Sequence, residues 1–106
     1  MRARKRFGQH FLRDVSILQR IGDAVALAPG QSVFEIGPGQ GALTDYLHRT
    51  DLSRYLAVEI DRDLAPLLAN RFPGIEVLQQ DILKVDLLSV LNASRSEPVR
   101  WRVVGN

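Results

Sequence analysis

The chain contains no cysteine. That excludes a disulfide framework and a thiolate nucleophile or ligand, and it is compatible with a reducing compartment. No apolar stretch approaches the roughly 18 residues that a membrane-spanning helix needs. The N-terminus is basic but has no apolar run behind it, so it does not read as a secretory signal. There is no internal repeat, no low-complexity tract, no domain linker and no cluster at metal-ligand spacing. These absences predict a soluble, cytoplasmic protein without a membrane or metal partner. At 106 residues the chain is one small domain or part of a larger one.

The net charge of +2 conceals a split. Residues 1–13 carry Arg2, Arg4, Lys5, Arg6 and Arg13 and no acid, a charge of +5. The remaining residues sum to −3. A basic arm on a mildly acidic body suits contact with a polyanion such as nucleic acid, with Arg4, Lys5 and Arg6 as the phosphate-facing candidates.

Apolar periodicity supplies the elements. Asp14 is a capping residue type ahead of Val15, Leu18, Ile21 and Val25 at helical spacing, and Ala28-Pro29-Gly30 is expected to end that helix. Strands are expected at 32–36, 55–60, 75–79 and 101–104, and helices at 41–49, 62–72 and 85–91. A polar loop is expected at 93–98. Pro66 falls near the start of its helix, where a missing N–H costs least. Strands alternating with helices at this spacing predict an α/β fold with a parallel sheet. Such sheets bind ligands beyond the carboxyl ends of their strands. Those ends carry Gly37-Pro38-Gly39, Glu59-Ile60-Asp61, Gln80-Asp81-Ile82 and Gly105-Asn106.

Gly37-x-Gly39-x-x-Ala42, with Glu59 in position for ribose hydroxyls, fits a dinucleotide fingerprint and permits NAD. Other details point away from it. Gly41 adds a third point of close approach, and Pro38 removes an N–H that a phosphate cradle would use. Glu35, two residues before the first glycine, would repel a diphosphate and suit an ammonium or sulfonium group. Asp61 and Asp63 read as helix-start acids.

E-I-G-P-G-Q-G-A-L-T, followed by V-E-I-D-R-D, Q-Q-D-I and V-V-G-N, resembles S-adenosylmethionine-dependent methyltransferases. The leading R-K-R-F-G-Q-H-F-L-R-D narrows the resemblance to the ribosomal RNA adenine N6-dimethyltransferases, and within them to the bacterial small-subunit (16S) branch. The resemblance implies a Rossmann-like class I methyltransferase fold, a parallel sheet with flanking helices. It implies S-adenosyl-L-methionine as cofactor and S-adenosyl-L-homocysteine as product. It places His10 and Leu12 over the cofactor, Gly37 at its methionine part, Glu59 at its ribose, and Asp81 with Ile82 at its adenine. Asn106 would touch the cofactor and accept from the target amine, as the first residue of a catalytic motif whose later residues are absent.

The resemblance implies N6-dimethylation of two adjacent adenines in 16S rRNA within a pre-ribosomal particle, by a monomer. It divides the chain into a basic, cofactor-covering arm over 1–13 and the N-terminal part of a catalytic domain over 14–106. That part ends after the fourth strand, and this chain alone is expected to be inactive. Three alternatives stand beside this reading. They are a large-subunit rRNA adenine methylase, a non-catalytic RNA-binding assembly or transcription factor on the same fold, and an NAD enzyme.

Overall fold

The computed structural model describes residues 15–92 and 100–105. Arg4, Lys5, Arg6, His10, Leu12, Asp14 and Asn106, and the loop expected at 93–98, lie outside the described residues. Nine elements follow in chain order: α1 (Val15–Val25), β1 (Ser32–Ile36), α2 (Ala42–Leu47), β2 (Arg54–Val58), α3 (Leu64–Arg71) and β3 (Glu76–Leu78), then a 3₁₀ turn (Ile82–Lys84), α4 (Leu87–Asn92) and β4 (Trp101–Gly105).

The four strands form one parallel sheet in the order β3-β2-β1-β4. Parallel strands buried on both faces read as continuous apolar runs, which is why S-V-F-E-I and R-Y-L-A-V show little alternation. Successive side chains still go to opposite faces. Val33, Tyr55, Ala57 and Val104 meet Leu18, Leu43, Leu47, Leu68 and Phe72 from α1, α2 and α3 and the following residue. Phe34, Leu56 and Val58 form a second cluster, covered by Ile82, Val85, Val90, Leu91 and Trp101. There the Trp101 ring stands edge-on to Phe34 at 6.5 Å, and its indole N–H donates to the Leu91 carbonyl at 3.1 Å.

The register aligns the strand ends. Ile36 pairs with Val58 on one side and Gly105 on the other, and Val58 pairs with Leu78. The residues after β1, β2 and β3 therefore emerge side by side. The strand order also reverses between β1 and β4, and a ligand crevice belongs at such a switch point.

Several boundaries differ from the sequence expectation, each for a local reason. α1 ends at Val25, not at Ala28-Pro29-Gly30. Ala26 takes a left-handed φ of 50° and its N–H returns to the Gly22 carbonyl, which closes the helix early. β2 ends at Val58 because Glu59 turns its side chain back onto backbone N–H groups. The helix expected at 85–91 is α4, beginning at Leu87, and an unexpected 3₁₀ turn precedes it, which the Asp81 carboxylate folds by accepting from Leu83 N–H. At α3 it is Asp61, not Asp63, whose carboxylate meets the first amides, accepting from Asp63 at 2.8 Å and Leu64 at 3.1 Å.

Candidate cofactor site

The turn between β1 and α2 is built from three glycines in the left-handed region, Gly37 (φ 67°), Gly39 (φ 61°) and Gly41 (φ 89°). They serve two different purposes. A methyl group placed on Gly41 would sit 2.9 Å from Leu68 and 3.0 Å from Phe72, so this glycine lets the turn pack against α3. At Gly37 and Gly39 the same construction meets nothing within 4 Å. There the missing side chains leave room outside the turn, where another molecule can approach the backbone.

The glycine amides of this turn are already committed. Gly37 N–H donates to the Val58 carbonyl at 2.9 Å, and Gly41 N–H donates to the Pro38 carbonyl at 2.9 Å. Gly39 N–H donates to Glu59 Oε1 at 2.9 Å, and Pro38 has no N–H to give. A phosphate cradle needs convergent unpaired N–H groups. This turn spends its glycine amides internally, so it suits close approach by a group that does not demand several amide donors.

Glu59 is 5% exposed and stands at the end of β2. Its Oε1 holds Gly39 and its Oε2 accepts from Asp61 N–H at 3.0 Å. Each oxygen is thus half-used, and a carboxylate oxygen retains a second lone-pair direction for one hydroxyl. Glu59 therefore ties the glycine turn to β2 while keeping acceptor capacity.

Asp81 and Ile82 follow β3 on the same side of the sheet. Asp81 Oδ1 caps the 3₁₀ turn through Leu83 N–H at 3.0 Å. Ile82 is half-buried against the Phe34 cluster, so part of its apolar surface serves the core. Ile60, beside Glu59, is 64% exposed, and Leu83, beside Ile82, is 89% exposed.

Behind the turn lies a buried carboxylate. Glu35 is 1% exposed, and its Oε1 accepts from the Thr44 hydroxyl at 2.6 Å and the Tyr55 hydroxyl at 2.7 Å. Burial pushes the Glu35 carboxyl above the ordinary carboxylate range, against the lowering effect of the two hydroxyl bonds, and the Glu59 charge pushes the same way as burial. Burial and the neighbouring Glu35 likewise raise the Tyr55 phenol, so it stays a donor.

The sequence profile described as Ribosomal RNA adenine dimethylase matches residues 1–106. The chain belongs to that family. Among curated relatives, the ribosomal RNA small subunit methyltransferase A of Leptothrix cholodnii is 48% identical over 103 residues, covering 97% of this chain and 36% of the relative. The protein of the same name from Geobacter metallireducens is 44% identical, covering 100% of this chain and 38% of the relative. The chain thus spans little more than a third of the length of these relatives. Among solved structures, the 23S rRNA methyltransferase ErmE superposes with a TM-score of 0.65 at 32% identity, covering 88% of this chain and 36% of that one. A dimethyladenosine transferase from Plasmodium falciparum superposes with a TM-score of 0.66 at 23% identity, a likeness of fold. The fold is the Rossmann-like class I methyltransferase fold.

Within the described chain, Gly37, Glu59, Asp81 and Ile82 come together along one edge of the sheet. His10, Leu12 and Asn106 lie outside the described residues. Sequence reasoning did not single out Thr44 and Tyr55. Their only signal was that Glu35 sits mid-strand in an apolar run, where a buried acid needs hydrogen-bond donors from neighbouring elements.

Proposed function

We propose that this chain forms the cofactor-binding part of an enzyme that uses S-adenosyl-L-methionine to dimethylate N6 of two adjacent adenines in small-subunit (16S) rRNA, a step of ribosome biogenesis. The observation that carries the reading is the glycine turn. It is open at Gly37 and Gly39 yet has committed its glycine amides, and Glu35 and Glu59 stand beside it. That combination suits a nucleoside joined to a cationic chain and disfavours a pyrophosphate. When bound, the cofactor supplies a methyl group activated on a sulfonium, with the thioether S-adenosyl-L-homocysteine as leaving group.

The chain's own residues would bind and orient. Gly37 and Gly39 admit the amino-acid part to the backbone, and Glu59 accepts ribose hydroxyls on its remaining lone pairs. Asp81 accepts from the adenine amino group, with Ile82 against the ring, while His10 and Leu12 cover the site. Asn106 accepts an N–H of the target adenine, holding the nitrogen lone pair toward the methyl group; such catalysis is mainly positioning. Arg4, Lys5 and Arg6 take RNA phosphates, a contact that weakens as salt rises. The relatives named as small-subunit methyltransferases, at 44–48% identity, favour 16S over 23S rRNA as the target. The 23S enzyme ErmE stands at 32%. The partner is small-subunit rRNA in a pre-ribosomal particle, met in the cytoplasm by a monomer.

A chimera tests this directly. This chain replaces the matching third of the Leptothrix cholodnii relative and is incubated with methyl-labelled cofactor and undermethylated small subunits. Labelled dimethyladenine recovered from 16S rRNA is the expected result. A chimera that folds and binds RNA but transfers no methyl group would point to the assembly-factor reading instead.

A further inference from the structure

A turn with three left-handed glycines does not set its own shape. Glycine takes positive and negative φ about equally readily, so the conformation of residues 37–41 is imposed by what touches it. From the end of β2, Glu59 accepts from Gly39 N–H at 2.9 Å. From α3, Arg71 Nη1 donates to the Gln40 carbonyl at 2.9 Å. The two side chains grip adjacent residues, so the peptide group between Gly39 and Gln40 is braced on both sides. Arg71 is itself held in place. Its guanidinium carbon lies 4.8 Å from the centre of the Phe72 ring, and Phe72 is the buried residue against Gly41. Its Nη2 is 4.0 Å from Asp45 in the first turn of α2, an exposed pair that contributes little by itself. Beside this contact a cavity of about 410 Å³ opens between Gln40 and Leu64, Leu67 and Asn70 of α3. Among the described residues no other side chain bonds to the Gln40 carbonyl, and the cavity leaves no neighbour to replace Arg71.

Resting on the cofactor reading above, we infer that Arg71 is a positioning residue, which through the Gln40 carbonyl keeps the glycine turn in the shape that receives the cofactor. Its guanidinium acts on the backbone of the turn and needs no contact with the ligand. With Arg71 in place the turn is preorganised, and binding costs little further ordering of it. Without it the turn keeps the Glu59 bond, its own bond from Gly41 N–H to the Pro38 carbonyl, and the packing of Gly41. Part of the population then takes other backbone shapes that glycine permits. Apparent affinity falls in proportion to the fraction of chains still in the binding shape.

The test compares the wild-type chain with Arg71→Met, Arg71→Lys and Asp45→Asn. Methionine keeps an unbranched stem over Phe72 and removes the donors, and lysine restores a cationic donor. Asp45→Asn breaks the ion pair and leaves the bond to Gln40. Each protein is titrated calorimetrically with S-adenosyl-L-homocysteine, and amide hydrogen exchange is followed by NMR at Gly39, Gly41 and the amides of β1 and β2. Arg71→Met is expected to lose about two- to tenfold in affinity, the scale of one net hydrogen bond. Exchange at Gly39 and Gly41 should quicken by a like factor, with β1 and β2 unchanged. Arg71→Lys should recover part of both losses, and Asp45→Asn should stay within about twofold of wild type. Unchanged affinity in Arg71→Met would overturn the inference. Exchange that quickens evenly across the sheet would mark a bond that merely supports stability and overturn it too, as would an Asp45→Asn variant as impaired as Arg71→Met. A wild type that binds no homocysteine ligand would overturn the cofactor reading itself, and the inference with it.

Discussion

Replacing Gly41 and Gly39 separately by alanine should produce opposite phenotypes. At Gly41 two penalties combine. A φ of 89° lies in the left-handed region, where an L-residue costs about 1–2 kcal/mol. Its new methyl would press on Leu68 at 2.9 Å and Phe72 at 3.0 Å. Both are buried core residues, at 2% and 7% exposure, so neither can swing into solvent. Overpacking of this kind costs about 1–3 kcal/mol. The expected loss is about 2–5 kcal/mol, a large share of the roughly 5–15 kcal/mol available to a small domain. Gly39→Ala carries only the backbone penalty, about 1–2 kcal/mol, because its methyl meets nothing. That methyl instead occupies the space left for a ligand. Urea denaturation and S-adenosyl-L-homocysteine titration on both variants read the two effects. Gly41→Ala should show the larger fall in urea midpoint, and Gly39→Ala the larger loss of ligand affinity relative to its stability loss. The reverse order would refute the division of labour assigned to these glycines.

Three further outcomes are expected. The Glu35 carboxyl holds its proton above the ordinary value of 4.5 in the folded chain. The folded state therefore binds more protons than the unfolded one in the window from 4.5 up to the folded value. Stability should fall as pH rises through that window. Glu35→Gln should flatten this decline in urea midpoints measured from pH 4.5 to 8, and a parallel decline in the variant would exclude Glu35 as its source. Glu59→Gln puts an amide N–H₂ against either Gly39 or Asp61 N–H, so one buried bond is lost. Stability should drop by about 1–2 kcal/mol in a thermal melt, and ligand affinity should fall with it. Ala26→Gly should stabilise the chain by roughly 1 kcal/mol, because glycine relieves the left-handed φ of 50° at the end of α1. A lower melting temperature for Ala26→Gly would show that the flexibility gained by the unfolded chain outweighs the strain removed.

What the sequence revealed and what it hid follow from how local each cause is. Strand β1 was legible to the residue, because a short apolar run between Gln31 and the glycines leaves no other boundary. The parallel sheet and the row of Gly37, Glu59 and Asp81 at its carboxyl edge were legible because strand–helix alternation constrains topology. The end of α1 was not legible, since alanine carries no signal for a left-handed φ and the Pro-Gly downstream offered a more conventional stop. The two-part structure of the 82–92 segment depends on one side chain, Asp81, bonding its own backbone. The different purposes of Gly37, Gly39 and Gly41 could not be separated in sequence, because the packing partner of Gly41 lies on α3, more than 25 residues away. The same holds for Thr44 and Tyr55, which find Glu35 only once β1, β2 and α2 are assembled.

The central claim is that the glycine turn receives a cationic nucleoside ligand and not a dinucleotide. Calorimetric titration of this chain with S-adenosyl-L-homocysteine and, separately, NAD tests it most directly. Saturable binding of the homocysteine ligand with no heat from NAD is the predicted result. Binding of NAD in preference would contradict both the reading of the turn's committed amides and the cofactor assigned to it.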